Sequence, residues 1–278
     1  MKYTKGMPMI RYIYEETLEQ RPEIVKHLQA YNIVFTGVRP SEDRYFYVLE
    51  NKKLVGAIKT NLGWDWVTLD NIYYQNIEIL EFLFSVVCRY YKSKSSGILY
   101  HDEESNELDD FRKIGFSFDG MIDATPLAKD YYYLSNTTFD ITSNLKLDII
   151  DSKEKDEELD KIHKSKLKKN ELPKTDIILI ANDNNEFVGG VHGVVTGDKM
   201  YVSLLVVIES YKGKKIGKKL MDLLEEKAKE KGVVSIDLGT CEFQAKPFYE
   251  KQGYKVIATL KDYPKGFEEY TLVKRLDK

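Results

Sequence analysis

Cysteine is scarce in this sequence: of 278 residues, only Cys88 and Cys241 are thiols. They stand far apart and offer neither a dense disulfide framework nor a clustered metal-ligand set, so a reduced, cytoplasmic chain with no metal is expected. An excess of one charge is missing too. The 42 Lys and Arg face 45 Asp and Glu, for a net charge of -3, which gives no global pull on a phosphate backbone and argues against dedicated nucleic-acid binding. Long apolar runs are also lacking. The richest, residues 77–88, contains Glu78 and Glu81 and falls short of the roughly 20 residues that span a bilayer. No apolar secretion core follows Met1, Lys2 and Lys5, so no membrane partner is expected. What is present is the composition of a folded chain, 42% apolar, 31% charged and 12% aromatic with twenty tyrosines. Its length suits two compact units or one large one.

Two stretches share one grammar. Residues 46–72 read as strand, Asn-centred turn, strand entering at Leu54-Val55-Gly56, Gly turn, strand. Residues 177–207 repeat that order with turns at 182–185 and 196–199 and a strand entrance at Phe187-Val188-Gly189. Each meander leads into a helix, Ile77 to about Tyr91 and Ile216 to Lys231, the second with Ile216, Leu220, Leu223, Leu224 and Ala228 on one stripe. Short apolar runs at 97–100 and 233–238 suit returning strands. FRKIGF (111–116) and FYEKQGY (248–254) read as short helices ending at Gly, and two-strand tails follow. A period near 135 residues suggests a duplication. The expected division is 1–138 and 139–278. LKLDII (145–150) is taken as the first strand of the second unit, and a helix starting near Pro22, with Ile24, Leu28 and Tyr31 on one face, belongs to the first. The charged segment 151–173 keeps enough periodicity at Leu159, Ile162 and Leu167 for one or two helices. The fold class is mixed α/β, central sheets flanked by helices.

The most informative stretch is Tyr201 to Gly232. A β-branched strand enters a short Lys/Gly loop that opens an amphipathic helix, so unpaired backbone N–H groups and the positive helix end can face a phosphate. Lys212, Lys214, Lys215, Lys218 and Lys219 add to that field.

At these residues the second half resembles the GCN5-related N-acetyltransferase (GNAT) family, over roughly residues 145–278. The family's acyl-coenzyme-A loop runs Arg or Gln, two arbitrary residues, Gly, one arbitrary residue, Gly or Ala. Here it reads Lys212-Gly213-Lys214-Lys215-Ile216-Gly217. Lys215 replaces the inner glycine, a departure that restricts the loop's backbone and adds an amine beside the phosphates. CEFQAKPFYEKQGYKV (241–256) resembles a subgroup pattern of the same family. The resemblance implies tandem GNAT-like domains and acetyl-coenzyme A (acetyl-CoA) as cosubstrate. Its cradle would be the backbone of Leu205, Val206 and Val207 for the pantetheine arm and Lys212 to Lys218 for the phosphates. It also implies direct acetyl transfer to a primary amine on a small molecule or a protein.

By family position Tyr249 is the general acid that protonates the departing sulfur, a phenol of ordinary pKa near 10 being protonated at neutral pH. Glu209, Glu242 and His192 are the alternatives for accepting the amine's proton, and Cys241 reads as a structural thiol. The first half looks like a degenerate copy. It lacks the Lys/Gly loop, and Phe111 stands where Tyr249 stands. Trp64, Trp66, Tyr73 and Tyr74 are its candidates for lining the acceptor cleft. The acceptor's identity and the oligomeric state stay open, as do two other readings, a noncatalytic acyl-CoA sensor and a partner-binding pseudoenzyme.

Overall fold

The computed structural model describes residues 10–15, 17–38, 41–102, 105–123, 131–154, 156–166 and 172–277. Two seven-stranded sheets carry the chain. The amino-terminal sheet contains the meander β2 (Ser41–Glu50), β3 (Lys53–Gly63) and β4 (Trp66–Tyr74), then β5 (Gly97–Asp102), β6 (Ser117–Ile122) and β7 (Tyr131–Asn136). Helix α2 (Ile77–Tyr91) follows its meander and α3 (Ser105–Lys113) follows β5. The carboxy-terminal sheet repeats the order with β9 (Lys174–Asp183), β10 (Glu186–Thr196), β11 (Lys199–Val207), α5 (Ile216–Glu230), β12 (Ser235–Cys241), α6 (Lys246–Lys251), β13 (Lys255–Lys261) and β14 (Glu268–Arg275). The expected meanders, both long helices and both short ones are therefore present. Part of the first tail, 124–130, and Leu167 lie outside the described residues.

Each sheet buries one face against its long helix. Leu80, Leu83, Phe84 and Val87 of α2 pack with Phe46, Val48, Ile58 and Val67. Ile216, Leu220, Met221, Leu224 and Ala228 of α5 pack with Ile177, Leu179, Val191 and Val202. The alternation of strand side chains puts the remaining apolar positions, Ile178 and Ile180, on the opposite face.

The openings of the two units are exchanged. β1 (Arg11–Glu15) pairs antiparallel with β9, Ile13 opposite Ile180, at the edge of the carboxy-terminal sheet. α1 (Arg21–Thr36), with Pro22 in its first turn, lies on that same sheet and buries Ile24 completely against Ile178 and Ile180. The helix can sit so low because β10 has Gly190 beneath it, where a Cβ would stand 2.8 Å from Ile24 Cγ1. Conversely β8 (Asp148–Ser152) pairs with β2 in the amino-terminal sheet. α4 (Glu157–Lys166) sets Leu159 and Ile162 against Tyr47, Leu54, Ala57 and Tyr73 of that sheet. The segment 145–150 thus does not open the second unit, and the Pro22 helix does not serve the first. Edge strands and single amphipathic helices carry the same local pattern whichever sheet receives them, so sequence proximity misassigned both.

The units also touch directly. Trp66 Nε1 donates to the Asp262 carbonyl at 2.9 Å, and Trp64 and Trp66 meet the Tyr263 ring edge-on with centroids 5.7 Å away. Leu99 and Leu260 complete that cluster. The four aromatics proposed for the acceptor cleft therefore divide: the tryptophans join the units, whereas Tyr73 lies under α4 and the Tyr74 hydroxyl donates to Asp110 at 3.1 Å within its own unit.

Candidate active site

β10 and β11 pair along their lengths, with a bulge where His192 faces Leu204 and Gly193 faces Val202, so that Ser203 is the extra residue. β11 pairs in parallel with β12 only from Lys199 opposite Ser235 to Val202 opposite Leu238. Beyond Val202 the two strands part, leaving the side of Ser203–Val207 that faces β12 without a strand partner among the described residues. Backbone groups there have hydrogen-bonding capacity to offer a ligand. The side chains of Leu205 and Val207 pack on the α5 core, and those of Leu204 and Val206 on the α1 face.

The strand ends in a 3-10 turn, Glu209–Tyr211, and the Lys/Gly loop. Gly213 and Lys215 both have positive φ, 78° and 63°. Lys215 is the N-cap of α5, with no side-chain cap, and the first helical bond is Lys219 N–H to the Lys215 carbonyl at 3.0 Å. The amides of Ile216, Gly217 and Lys218 are thereby left at the positive end of the helix dipole, a ready anion site. Around them Lys212 pairs with Glu209 at 2.6 Å and sits 4.4 Å over the Tyr31 ring, Lys214 sits over Tyr211, and Lys218 pairs with Asp222 at 2.7 Å. Gly217 faces Val207 and Phe248, which would stand 3.5 and 3.7 Å from a Cβ there. These distances are ordinary van der Waals contact, so the protein's own packing does not demand glycine at that point.

The amino-terminal sheet has the same parting strands but no such loop. β4 pairs with β5 only through Trp66–Thr68, then turns into α2 within two residues. There the Asn76 side chain accepts from the Ile79 amide at 3.0 Å and occupies the helix end. Phe111, in the place of Tyr249, is fully buried and stacks on Tyr100 at 3.9 Å.

Tyr249 lies on α6, nearly buried between Phe248 and Tyr254 at centroid distances of 5.1 and 5.9 Å. Burial raises its phenol pKa above the ordinary value, with the nearby Tyr201 adding to the effect, so the proton is held more firmly. Among the described residues its hydroxyl has no hydrogen-bond partner. Glu209 and Glu242 occupy opposite arms of the parting strands and do not meet Tyr249 in any described contact. Glu209 is largely exposed and tied to Lys212, and Glu242 accepts from the Glu268 amide at 3.4 Å. Cys241 is buried, and its amide donates to Gln244 Oε1 at 2.8 Å.

Sequence reading missed two groups of residues. The exchanged helix α1 reaches both arms of the cleft. Tyr31 takes the Lys212 ammonium on its face and donates to the Phe243 carbonyl at 2.9 Å. Asn32 accepts from Gln244 Nε2 at 2.9 Å, and Phe35 stacks on Phe243. Nothing in the sequence signals contacts over 212 positions. The second group surrounds His192, which is buried with Nε2 2.7 Å from Asp176 Oδ1 and Nδ1 2.6 Å from Ser203 Oγ. Its one signal was Ser203 interrupting an otherwise apolar strand.

A profile of the Acetyltransferase (GNAT) family matches residues 142–254. Blasticidin-S acetyltransferase of Streptomyces morookaense is 35% identical over 95 residues, which are 34% of this chain and 70% of that protein. The chain belongs to the GNAT acetyltransferase family. An acetyltransferase of Agrobacterium fabrum is 34% identical over 98 residues, 35% of this GNAT chain and 72% of that one. A solved acetyltransferase structure from Bacillus cereus is 31% identical, with a TM-score of 0.38, over 43% of this chain and 86% of its own. Family membership supports acetyl transfer as the activity. Among the described residues no group of three or more His, Cys, Asp or Glu could hold a metal, and no helix is long and apolar enough to cross a membrane.

Proposed function

We propose that this chain transfers acetyl from acetyl-CoA directly to a primary amine in its carboxy-terminal unit. In this reading the chain is a tandem of two GNAT-like units divided near residue 138, each completed by the opening of the other, and it works in the cytoplasm. The observation that carries the proposal is the pairing of an uncapped α5 amino terminus with the parting of β11 from β12. The first offers N–H groups to phosphates and the second offers strand backbone to an amide-bearing arm.

Ile216, Gly217 and Lys218 amides, with the lysines from Lys212 to Lys218, would hold the phosphates. The backbone of Leu205, Val206 and Val207 would hold the pantetheine arm. Bound acetyl-CoA supplies an acetyl thioester. Tyr249 then gives its proton to the departing sulfur, which leaves as a thiol rather than a thiolate. Glu209 and Glu242 remain candidates for proton acceptance at the cleft mouth, where their exposure suits them to solvent exchange. The amino-terminal unit, with Asn76 on its helix end and Phe111 in the tyrosine's place, serves as scaffold.

The relative from Streptomyces makes blasticidin S an acceptor to try, beside spermidine and kanamycin. Calorimetric titration with acetyl-CoA should give one site per chain, and amine-dependent thiol release should follow with one of the three. Two sites would overturn the scaffold role. Tight binding without turnover would point to a sensor, and no binding by folded protein to a pseudoenzyme. Tyr249→Phe should lower kcat about 10²-fold while acetyl-CoA affinity and melting temperature hold. A variant that binds less tightly in proportion to its loss of rate would assign Tyr249 to packing.

A further inference from the structure

A chain of three polar side chains runs across the α1 face of the carboxy-terminal sheet beside the parting strands. Ser203 is half-buried and is the bulged residue at the point where β11 leaves β12. Its hydroxyl meets His192 Nδ1 at 2.6 Å, and His192 Nε2 meets Asp176 Oδ1 at 2.7 Å. His192 is the enclosed middle of the chain, with 4% of its side chain exposed, whereas Asp176 has 30% and opens to solvent. With Asp176 accepting from Nε2–H, the tautomer leaves Nδ1 free to accept from the Ser203 hydroxyl. The arrangement is a wire with one end at the cleft and the other in water.

We propose that Ser203, backed by His192 and Asp176, is the path by which the acceptor ammonium loses a proton to solvent. The inference rests on the acetyl-transfer reading given above. An ammonium acceptor must lose two protons to become an amide. One replaces the proton that Tyr249 gives to sulfur as the C–N bond forms and the C–S bond breaks. The other passes to Ser203 Oγ while the hydroxyl's own proton moves to His192 Nδ1. Asp176 holds the resulting imidazolium, and the proton leaves through the exposed end. Ser203 is then the catalytic residue, and His192 and Asp176 are positioning residues acting through it.

The amino-terminal unit offers a contrast at the same place in the register. His192 lies across from Ile178 and Leu204, and its counterpart Lys59 lies across from Tyr45 and Asp70. There Lys59 is paired with Asp43 at 3.2 Å and Asp70 at 3.9 Å beside the Tyr45 phenol, a set of ion pairs in place of the serine–histidine–aspartate chain. The wire therefore occurs in the unit that also has the uncapped loop. By strand alternation and packing, the other titratable groups on this face include Arg11 and Glu15 on β1, Lys174 on β9, Lys199 and Tyr201 on β11, Glu269 on β14, and Glu23 and His27 on α1, which bond to each other. Tyr133 of β7 and Asp237 of β12 share the field of Tyr201.

The test compares wild type with Ser203→Ala, Ser203→Thr and His192→Gln in the full chain, using acetyl-CoA with blasticidin S, spermidine and kanamycin. With whichever amine turns over, Ser203→Ala and His192→Gln should lower kcat about 10²-fold. They should also remove the acidic limb of the pH profile and leave the acetyl-CoA dissociation constant unchanged, while Ser203→Thr, which keeps a hydroxyl, restores most of the rate. Unchanged rate and profile in Ser203→Ala would overturn the proposal, as would an acetylated Ser203 found by mass spectrometry during turnover. Should wild type turn over none of the amines, the acetyl-transfer reading fails separately. The wire is then judged by NMR of the His192 ring nitrogens: coupling of their protonation to Ser203→Ala and Asp176→Asn supports it, and a ring that takes up no proton overturns it.

Discussion

Lys215 does at one position what the family assigns to glycine. Its φ of 63° lies in the left-handed region, which costs an L side chain ~1–2 kcal/mol, while glycine there would give back ~0.5–1 kcal/mol of that in chain entropy. Lys215→Gly should therefore raise unfolding stability by up to about 1 kcal/mol in urea titrations, and a loss of stability would mean that the lysine side chain anchors the loop. The departure was legible in the sequence, because the motif fixes the position and the residue is visible in it. The environment of Tyr249 was only half legible: its place on a short helix followed from FYEKQGY, but its enclosure between Phe248 and Tyr254 depends on how α6 meets the core. Ser203 and Asp176 were not legible as partners of His192, since a bulge in one strand and a residue near the start of another come together only through register.

At the scale of elements, the meanders and helices were readable because periods of two and of 3.6 are written locally. Which sheet receives β1 and α1 was not, because pairing partners are chosen by surfaces remote in sequence. The packing of α1 turns on Ile24, which is fully buried over Gly190, Ile178 and Ile180. Ile24→Ala should cost about 3 kcal/mol of unfolding free energy, the usual loss for emptying a buried Ile site, measured by chemical denaturation. Because Tyr31 and Asn32 on the same helix hold the Phe243–Gln244 turn, acetyl-CoA affinity should fall in the same variant even under conditions where it stays folded. Intact affinity would separate the helix from the cleft.

For the whole molecule, the exchange of openings makes the two sheets depend on one another. The intact chain should unfold in one calorimetric transition with equal calorimetric and van't Hoff enthalpies. Residues 139–278 alone, lacking the cover over Ile178 and Ile180, should give no cooperative transition until a peptide of residues 1–38 is added. Two separate transitions in the intact chain would refute the dependence. Stability should also follow pH through Asp237, whose burial pushes its carboxyl up to about 7 against the partial relief of Lys199. The folded state keeps that proton where the unfolded chain, near 3.8, has released it. Stability contributed by the protonated group is thus full below about 4 and declines as pH rises to about 7, by roughly 4 kcal/mol in total. Asp237→Asn should flatten that slope and be the more stable protein at pH 8, as urea midpoints at pH 5 and 8 would register. The exchange also bears on biosynthesis. β1 and α1 are the first described elements to leave the ribosome, and the strands they join are made only after the other sheet's own last piece, β8 and α4. A nascent chain halted at mid-length has one sheet lacking its edge and a helix with nowhere to dock, so the burden on chaperones falls on the first half and is lifted by the second.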